Sequence, residues 1–117
     1  MSDIKIWHNP RCSKSREAIK IMEELKINGE VVKYLETTPD ANEIKSTLKM
    51  LGLSARELMR TKEAVYKELN LKEETDEEKL IQAMAENPKL IERPVLFKNG
   101  KAIIGRPSSL IADFLNA

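Results

Sequence analysis

Ile4-Lys5-Ile6-Trp7-His8-Asn9-Pro10-Arg11-Cys12-Ser13-Lys14-Ser15-Arg16 decides how the chain is read. Ile4, Ile6 and Trp7 make its first four residues a short, largely apolar, β-prone run, and His8-Asn9-Pro10 stops it. From Ser13 to Lys26 the apolar residues Ala18, Ile19, Met22 and Leu25 recur at helical spacing, so one face of a helix is buried. Cys12 therefore falls in a strand-to-helix loop, at or just before a helix N-terminus. Unpaired peptide N–H groups there favour an anion. Arg11, Lys14 and Arg16 add full positive charges, and both effects favour thiolate over thiol. His8, four residues upstream, is placed to assist as a cation or a proton acceptor. A lone cysteine is more often a small buried hydrophobe. The polar neighbours Arg11, Ser13, Lys14, Ser15 and Arg16 argue against burial here.

Working outward, Asn28-Gly29 is expected to end the first helix through a left-handed glycine cap. Glu30 to Leu35, with Val31, Val32 and Tyr34, reads as a second strand. Strand, helix and strand in so short a span form a βαβ unit with parallel strands. Residues about 40–88 then read as a helical insertion. Asp40 follows Thr37-Thr38-Pro39 at a helix start. Ile44, Leu48 and Leu51 mark its buried face and Gly52 its end. Ser54 to Glu57 has capping-box spacing and opens a short helix carrying Leu58, Met59 and Arg60. A further turn or two is expected over Ala64 to Asn70, then a charged connection from Lys72. Thr75 to Glu78 is read as a second capping box, ahead of Leu80, Ile81 and Met84. Val95 to Lys98 and Lys101 to Ile104 flank Asn99-Gly100, a strong hairpin signal. Ser108 caps a last helix with Leu110, Ile111, Phe114 and Leu115 on one face. The expected architecture is α/β: a four-stranded mixed sheet built from a parallel βαβ unit and a C-terminal hairpin, with the helical region inserted, all in one domain over residues 1–117.

The 117 residues suffice for a single core. A hydrophobic content of 41% and a net charge of +1 suit a globular chain with no global field toward nucleic acid or membrane. One cysteine excludes an internal disulfide and a multi-cysteine metal site, and fits a reducing, cytoplasmic setting. No signal pattern or membrane-spanning run is visible. Four arginines fall at element ends: Arg16, Arg60, Arg93 and Arg106. Two precede proline, as Arg93-Pro94 and Arg106-Pro107. A guanidinium held by such a turn loses little freedom on gripping a tetrahedral oxyanion, and its planar fork suits bidentate contact.

With these residues in view the chain resembles the glutaredoxin-linked arsenate reductase family. The match runs from His8-Asn9-Pro10, Cys12 and Ser15-Arg16 through Tyr34-Leu35-Glu36, Gly52, Arg60 and Arg93-Pro94 to Arg106-Pro107-Ser108. The resemblance implies a thioredoxin-like fold with a helical insertion. It implies that Cys12 is the nucleophile that attacks arsenate, and that Arg60, Arg93 and Arg106 hold the oxyanion. His8, Ser15 and Arg16 would tune and position the thiolate, and Pro94 would be the cis-proline facing it. It implies glutathione as co-substrate and glutaredoxin as the partner that resolves the mixed disulfide, with no bound cofactor or metal and a monomeric protein. The lone cysteine agrees independently, because turnover then needs an external thiol. Ser13-Lys14 departs from the Gly-Thr of well-known members. Two alternatives stay open: a glutathione-dependent thiol-disulfide reductase, and a non-catalytic RNA-polymerase-binding regulator of the same superfamily. Such regulators carry Cys-x-x-Cys at this loop, and Ser15 removes that disulfide switch here.

Overall fold

The computed structural model describes residues 4–106 and 108–116, and the expected turn at Pro107 lies outside the described residues. The chain divides into two compact units, Met1–Thr37 with Arg93–Ala117, and Thr38–Glu92.

The first unit is a mixed α/β sheet. It holds β1 (Ile4–Trp7), α1 (Ser13–Glu24), β2 (Glu30–Val32), β3 (Val95–Lys98), β4 (Lys101–Ile104) and α6 (Ser109–Asn116). The strand order is β2-β1-β3-β4, with β1 parallel to β2 and antiparallel to β3. β1 is central and buried on both faces. Ile6 packs with Ala18 and Met22 of α1, Leu96 of β3, and Ile111 and Leu115 of α6. Trp7, pointing the other way, meets Phe97 edge-on at 5.1 Å and Tyr34 at 6.4 Å. Truncating a fully buried residue such as Ile6 to alanine costs about 2–5 kcal/mol. Asn99 and Gly100 both take positive φ, at 51° and 78°, the twist a two-residue hairpin requires.

Three local expectations fail here. α1 stops at Glu24, and Lys26, at φ 57°, takes the left-handed position expected of Gly29. The N–H of Ile27 reaches Met22 O at 2.9 Å and that of Lys26 reaches Glu23 O at 3.0 Å, which is a Schellman closure. Gly29 serves close approach instead: a Cβ there would lie 2.7 Å from Met22 Cε and 3.2 Å from Ile4 O. β2 ends at Val32, because the N–H groups of Glu36 and Thr37 turn back onto Lys33 O. Leu110 is 47% exposed, and α6 buries Ile111 and Leu115.

The second unit is helical: α2 (Ala41–Leu51), α3 (Ala55–Leu58), α4 (Ala64–Glu68), α5 (Glu77–Glu86) and 3₁₀ turns at Leu71–Glu73 and Pro88–Leu90. Asp40 caps α2 by accepting the Glu43 N–H at 2.8 Å, and the Ser54–Glu57 capping box is complete. The second box expected from Thr75 is absent. Asp76 caps α5 through the Glu78 N–H at 3.0 Å, a carboxylate being the better acceptor beside a helix N-terminus. α3 ends at Leu58, so Met59 and Arg60 leave the helix. Met59 bridges Ile91, and the Arg60 N–H donates to Leu90 O at 2.7 Å. Arg56 is a brace that spacing alone did not reveal, donating to Tyr66 Oη at 2.5 Å and to the carbonyls of Leu71 and Glu74.

Candidate active site

The β1–α1 loop is built by its own sequence. The Cys12 N–H donates to Asn9 O at 3.0 Å, closing a turn with Pro10 at its second position, where its fixed φ fits. Asn9 Oδ1 accepts the Arg11 N–H at 3.0 Å, an Asx turn inside the first. Ser15, fully buried, accepts the Asn9 N–H on its Oγ at 3.3 Å. Arg16 donates from Nη1 to Pro10 O at 3.0 Å. Ser15 and Arg16 therefore shape the loop that carries the thiol. Asn9 is the hub of these bonds, a role that only the turn-forming Asn-Pro dipeptide signals in the sequence.

Cys12 is the N-cap of α1, with extended backbone at φ −96° and ψ 124°, and is partly exposed. Its side chain makes no capping hydrogen bond, and the backbone N–H groups of Ser15 and Lys14 are near enough to favour the thiolate. Burial pushes the thiol pKa up. A hydrogen bond from the Arg93 guanidinium, then the N–H groups of Ser15 and Lys14, then the charge of Arg93, outweigh that and lower it to about 7. The helix terminus thus acts on the sulfur through the N–H groups of Ser15 and Lys14. Lys14 pairs with Glu17 at 3.7 Å on the surface and Arg16 is committed to the loop.

The cations at the sulfur come from the far end of the chain. Arg93 follows the helical unit, and the Arg93–Pro94 peptide is cis. Arg93 is desolvated, which lowers its pKa, but bonds to Cys12 and Tyr34 more than offset this and raise it. Tyr34, fully buried, lies close enough to Arg93 to favour the guanidinium charge. Arg106 donates from Nε to Arg93 O at 2.7 Å and from Nη2 to Cys12 Sγ at 3.6 Å. Gly105 permits this approach, since a Cβ there would lie 2.9 Å from Leu96 Cδ1 and 3.0 Å from Pro94 Cγ.

His8 is buried, and its Nδ1 has no hydrogen-bond partner among the described residues. Burial first, then the charges of Lys33 and Arg16, lower its pKa below 6.5. The shift favours the neutral imidazole, the form that accepts a proton, over the cation. Arg60 belongs to the helical unit, where its Nη1 pairs with Glu92 Oε1 at 2.8 Å. Among the described residues no group of His, Cys, Asp and Glu is arranged to hold a metal ion, and no helix is long and apolar enough to cross a membrane.

A model of the ArsC family matches residues 7–114. The chain is 55% identical over 114 residues to the uncharacterized protein YfgD of Escherichia coli (strain K12), covering 96% of each chain. It is 53% identical over 109 residues to an arsenate reductase of Neisseria meningitidis serogroup A, covering 92% of this chain and 93% of that one. Among solved structures it is similar to the arsenate reductase from Vibrio cholerae, at a TM-score of 0.92 and 46% identity, over 96% of this chain and 97% of that one.

Proposed function

The chain belongs to the ArsC family, and from that premise we propose that it is an arsenate reductase acting through Cys12. The observation that carries the reading is the sulfur's company: Arg106 Nη2 at 3.6 Å and the Arg93 guanidinium meet one thiol of pKa about 7. A thiolate ringed by guanidinium groups suits attack on a tetrahedral oxyanion. In the first step the sulfur attacks arsenic. A sulfur–arsenic bond forms, an arsenic–oxygen bond breaks, and that oxygen leaves as water with the thiol's proton and one from the arsenate. Arg93 and Arg106, with Arg60 as a third oxyanion ligand, stabilise the charge that builds on the oxygens. Ser15 and Arg16 hold the loop, and neutral His8 serves as a proton acceptor beside it.

The second sulfur comes from outside, because the sequence has one cysteine. Glutathione attacks the Cys12 sulfur and a disulfide forms. The sulfur–arsenic electron pair stays on arsenic, reducing it from arsenic(V) to arsenic(III), and arsenite departs with the glutathione proton. Glutaredoxin then exchanges onto the mixed disulfide and frees Cys12. On this reading the protein is one cytoplasmic, monomeric domain with no bound cofactor, and needs neither metal, nucleic acid nor membrane.

One observation favours a second reading. A thiol with a pKa near 7 is also well suited to thiol–disulfide exchange at neutral pH. Arsenate reduction with glutathione and glutaredoxin, assayed beside a disulfide substrate on the same preparation, separates the two. Arsenate turnover lost in Cys12→Ser is expected. Turnover of the disulfide alone would replace arsenate reductase with thiol-disulfide reductase, and polymerase capture with neither activity would favour the regulator.

A further inference from the structure

Arg60 and Glu92 sit on two extended segments of the helical unit that pair antiparallel. Met59 bridges Ile91, the Arg60 N–H donates to Leu90 O at 2.7 Å, and the Glu92 N–H donates to Leu58 O at 2.8 Å. Met59 and Ile91 face one another and are buried. Side chains alternate along extended backbone, so Arg60 and Glu92 take the other face as diagonal neighbours, a spacing that long side chains span. They meet there, with Arg60 Nη1 2.8 Å from Glu92 Oε1 and the two side chains 24% and 25% exposed. The Arg60 carbonyl accepts the Glu63 N–H at 3.3 Å, so the backbone beneath the guanidinium is held on both sides. The bond to Glu92 uses one corner of the guanidinium, the Nη1 on its Cδ side. The opposite edge, Nε with Nη2, carries two parallel N–H bonds, a fork that grips an oxyanion with two contacts. Nε is buried and has no hydrogen-bond partner among the described residues. A buried donor without an acceptor is costly, and an oxyanion oxygen would satisfy it.

We propose that Glu92 is a positioning residue for arsenate reduction: it holds Arg60 in place before the substrate arrives and leaves the Nε–Nη2 edge for the oxyanion. The proposal rests on Arg60 being the third oxyanion ligand of the reading above. An arginine side chain is long and flexible, and ordering it when the anion binds costs affinity. A carboxylate that already fixes it removes that cost. Glu92 also offsets one positive charge, which weakens the attraction for an anion. The geometry decides between the two effects, because the carboxylate occupies Nη1 and leaves the fork. Glu92 is covalently next to Arg93, so one dipeptide carries one proposed ligand and braces another.

The test combines arsenate reduction, with glutathione and glutaredoxin, and the binding of inorganic sulfate by calorimetry, both on the full chain. Glu92→Ala should weaken sulfate binding and lower arsenate kcat/KM by roughly two- to tenfold each, the range for ordering one long side chain on binding. Glu92→Gln keeps an acceptor oxygen and should recover part of both losses; it carries the test if Glu92→Ala folds poorly. In an Arg60→Ala background either change at Glu92 should cost nothing further, because the side chain it positions is gone. The Cys12 titration midpoint should stay near 7 throughout. Equal losses in the two backgrounds would overturn the proposal, since they report a general loss of packing. Tighter sulfate binding in Glu92→Ala would also overturn it, making Glu92 a competitor of the oxyanion. If Arg60→Ala depresses arsenate turnover and Glu92→Ala does not, the arsenate reading stands and the proposal falls. If the wild type reduces no arsenate but binds sulfate with the dependence on Glu92 described, the positioning role stands and the arsenate reading falls. Neither sulfate binding nor arsenate turnover would discard both.

Discussion

Arg106 Nη2 lies 3.6 Å from Cys12 Sγ, across a separation of 94 residues in the chain. The same guanidinium holds Arg93 O at 2.7 Å, so the β4–α6 loop and the β3 entrance are tied together at the sulfur. A cation supplied from so far away is present only in the folded chain, and the thiol's acidity reports on the fold.

The thiol should titrate near pH 7, followed by thiolate absorbance with Cys12→Ser as blank. Arg93→Ala removes the hydrogen bond and the charge that lower the value, so the midpoint should move up toward the ordinary thiol range. A midpoint unchanged in Arg93→Ala would mean that the helix terminus and Arg106 acidify Cys12 without Arg93.

Cys12→Ser should abolish arsenate reduction and leave the fold intact, since a hydroxyl is a poor nucleophile at neutral pH and forms no sulfur–arsenic bond. Stability should respond to pH as well. The folded thiol ionises near 7 and the unfolded one near 9.0, so the unfolded chain holds more protons between them. The wild type should gain stability as pH rises through that window, with the gain complete above it. Denaturant titrations at several pH values should show a flatter profile for Cys12→Ser.

Arg93→Ala and Arg106→Ala should each depress arsenate turnover by about 10²–10³-fold, the range for losing one preorganised donor. Lysine at either position should restore only part, because it keeps the charge and loses the fork. Arg60→Ala tests the third proposed ligand. A turnover loss of the same order supports it, and a loss of stability alone would leave Arg60 as the partner of Glu92. Sulfate or phosphate should compete with arsenate and raise the wild type's melting temperature by binding the native state.

His8 resists protonation in the folded chain, so its pKa lies below 6.5 there and near 6.5 when unfolded. The unfolded chain then binds the extra proton as pH falls below 6.5, and stability should drop in that window while remaining complete above it. The difference in stability between wild type and His8→Gln, measured from pH 7 downward, isolates this contribution from the carboxylates. Parallel profiles for the two proteins would show that His8 titrates normally.

Much of this protein is decided by short-range pattern. The period of the apolar residues specifies β1, α1, β3 and β4, because side chains repeat every two residues along a strand and every 3.6 along a helix. Asp40 and the Ser54–Glu57 box mark helix starts, because the unpaired N–H groups there need a local acceptor. The position of Cys12 at the head of α1 follows from the same rules. Asn9-Pro10 likewise builds its turn from bonds within seven residues. Where two local helix caps compete, pattern ranks them poorly: Asp76 displaced Thr75 at an N-terminus, and Lys26 displaced Gly29 at a C-terminus. The active site itself is a tertiary product. Nothing in the spacing of Arg93 and Arg106 says that they meet one sulfur at Cys12; strand pairing in the order β2-β1-β3-β4 brings them there. Lys14 and Arg16, close in sequence, find local partners instead, Glu17 at 3.7 Å and Pro10 O at 3.0 Å. Charges near one another along the chain are free to find other partners, whereas the partly buried Arg93 guanidinium is stabilised by the thiolate it in turn stabilises.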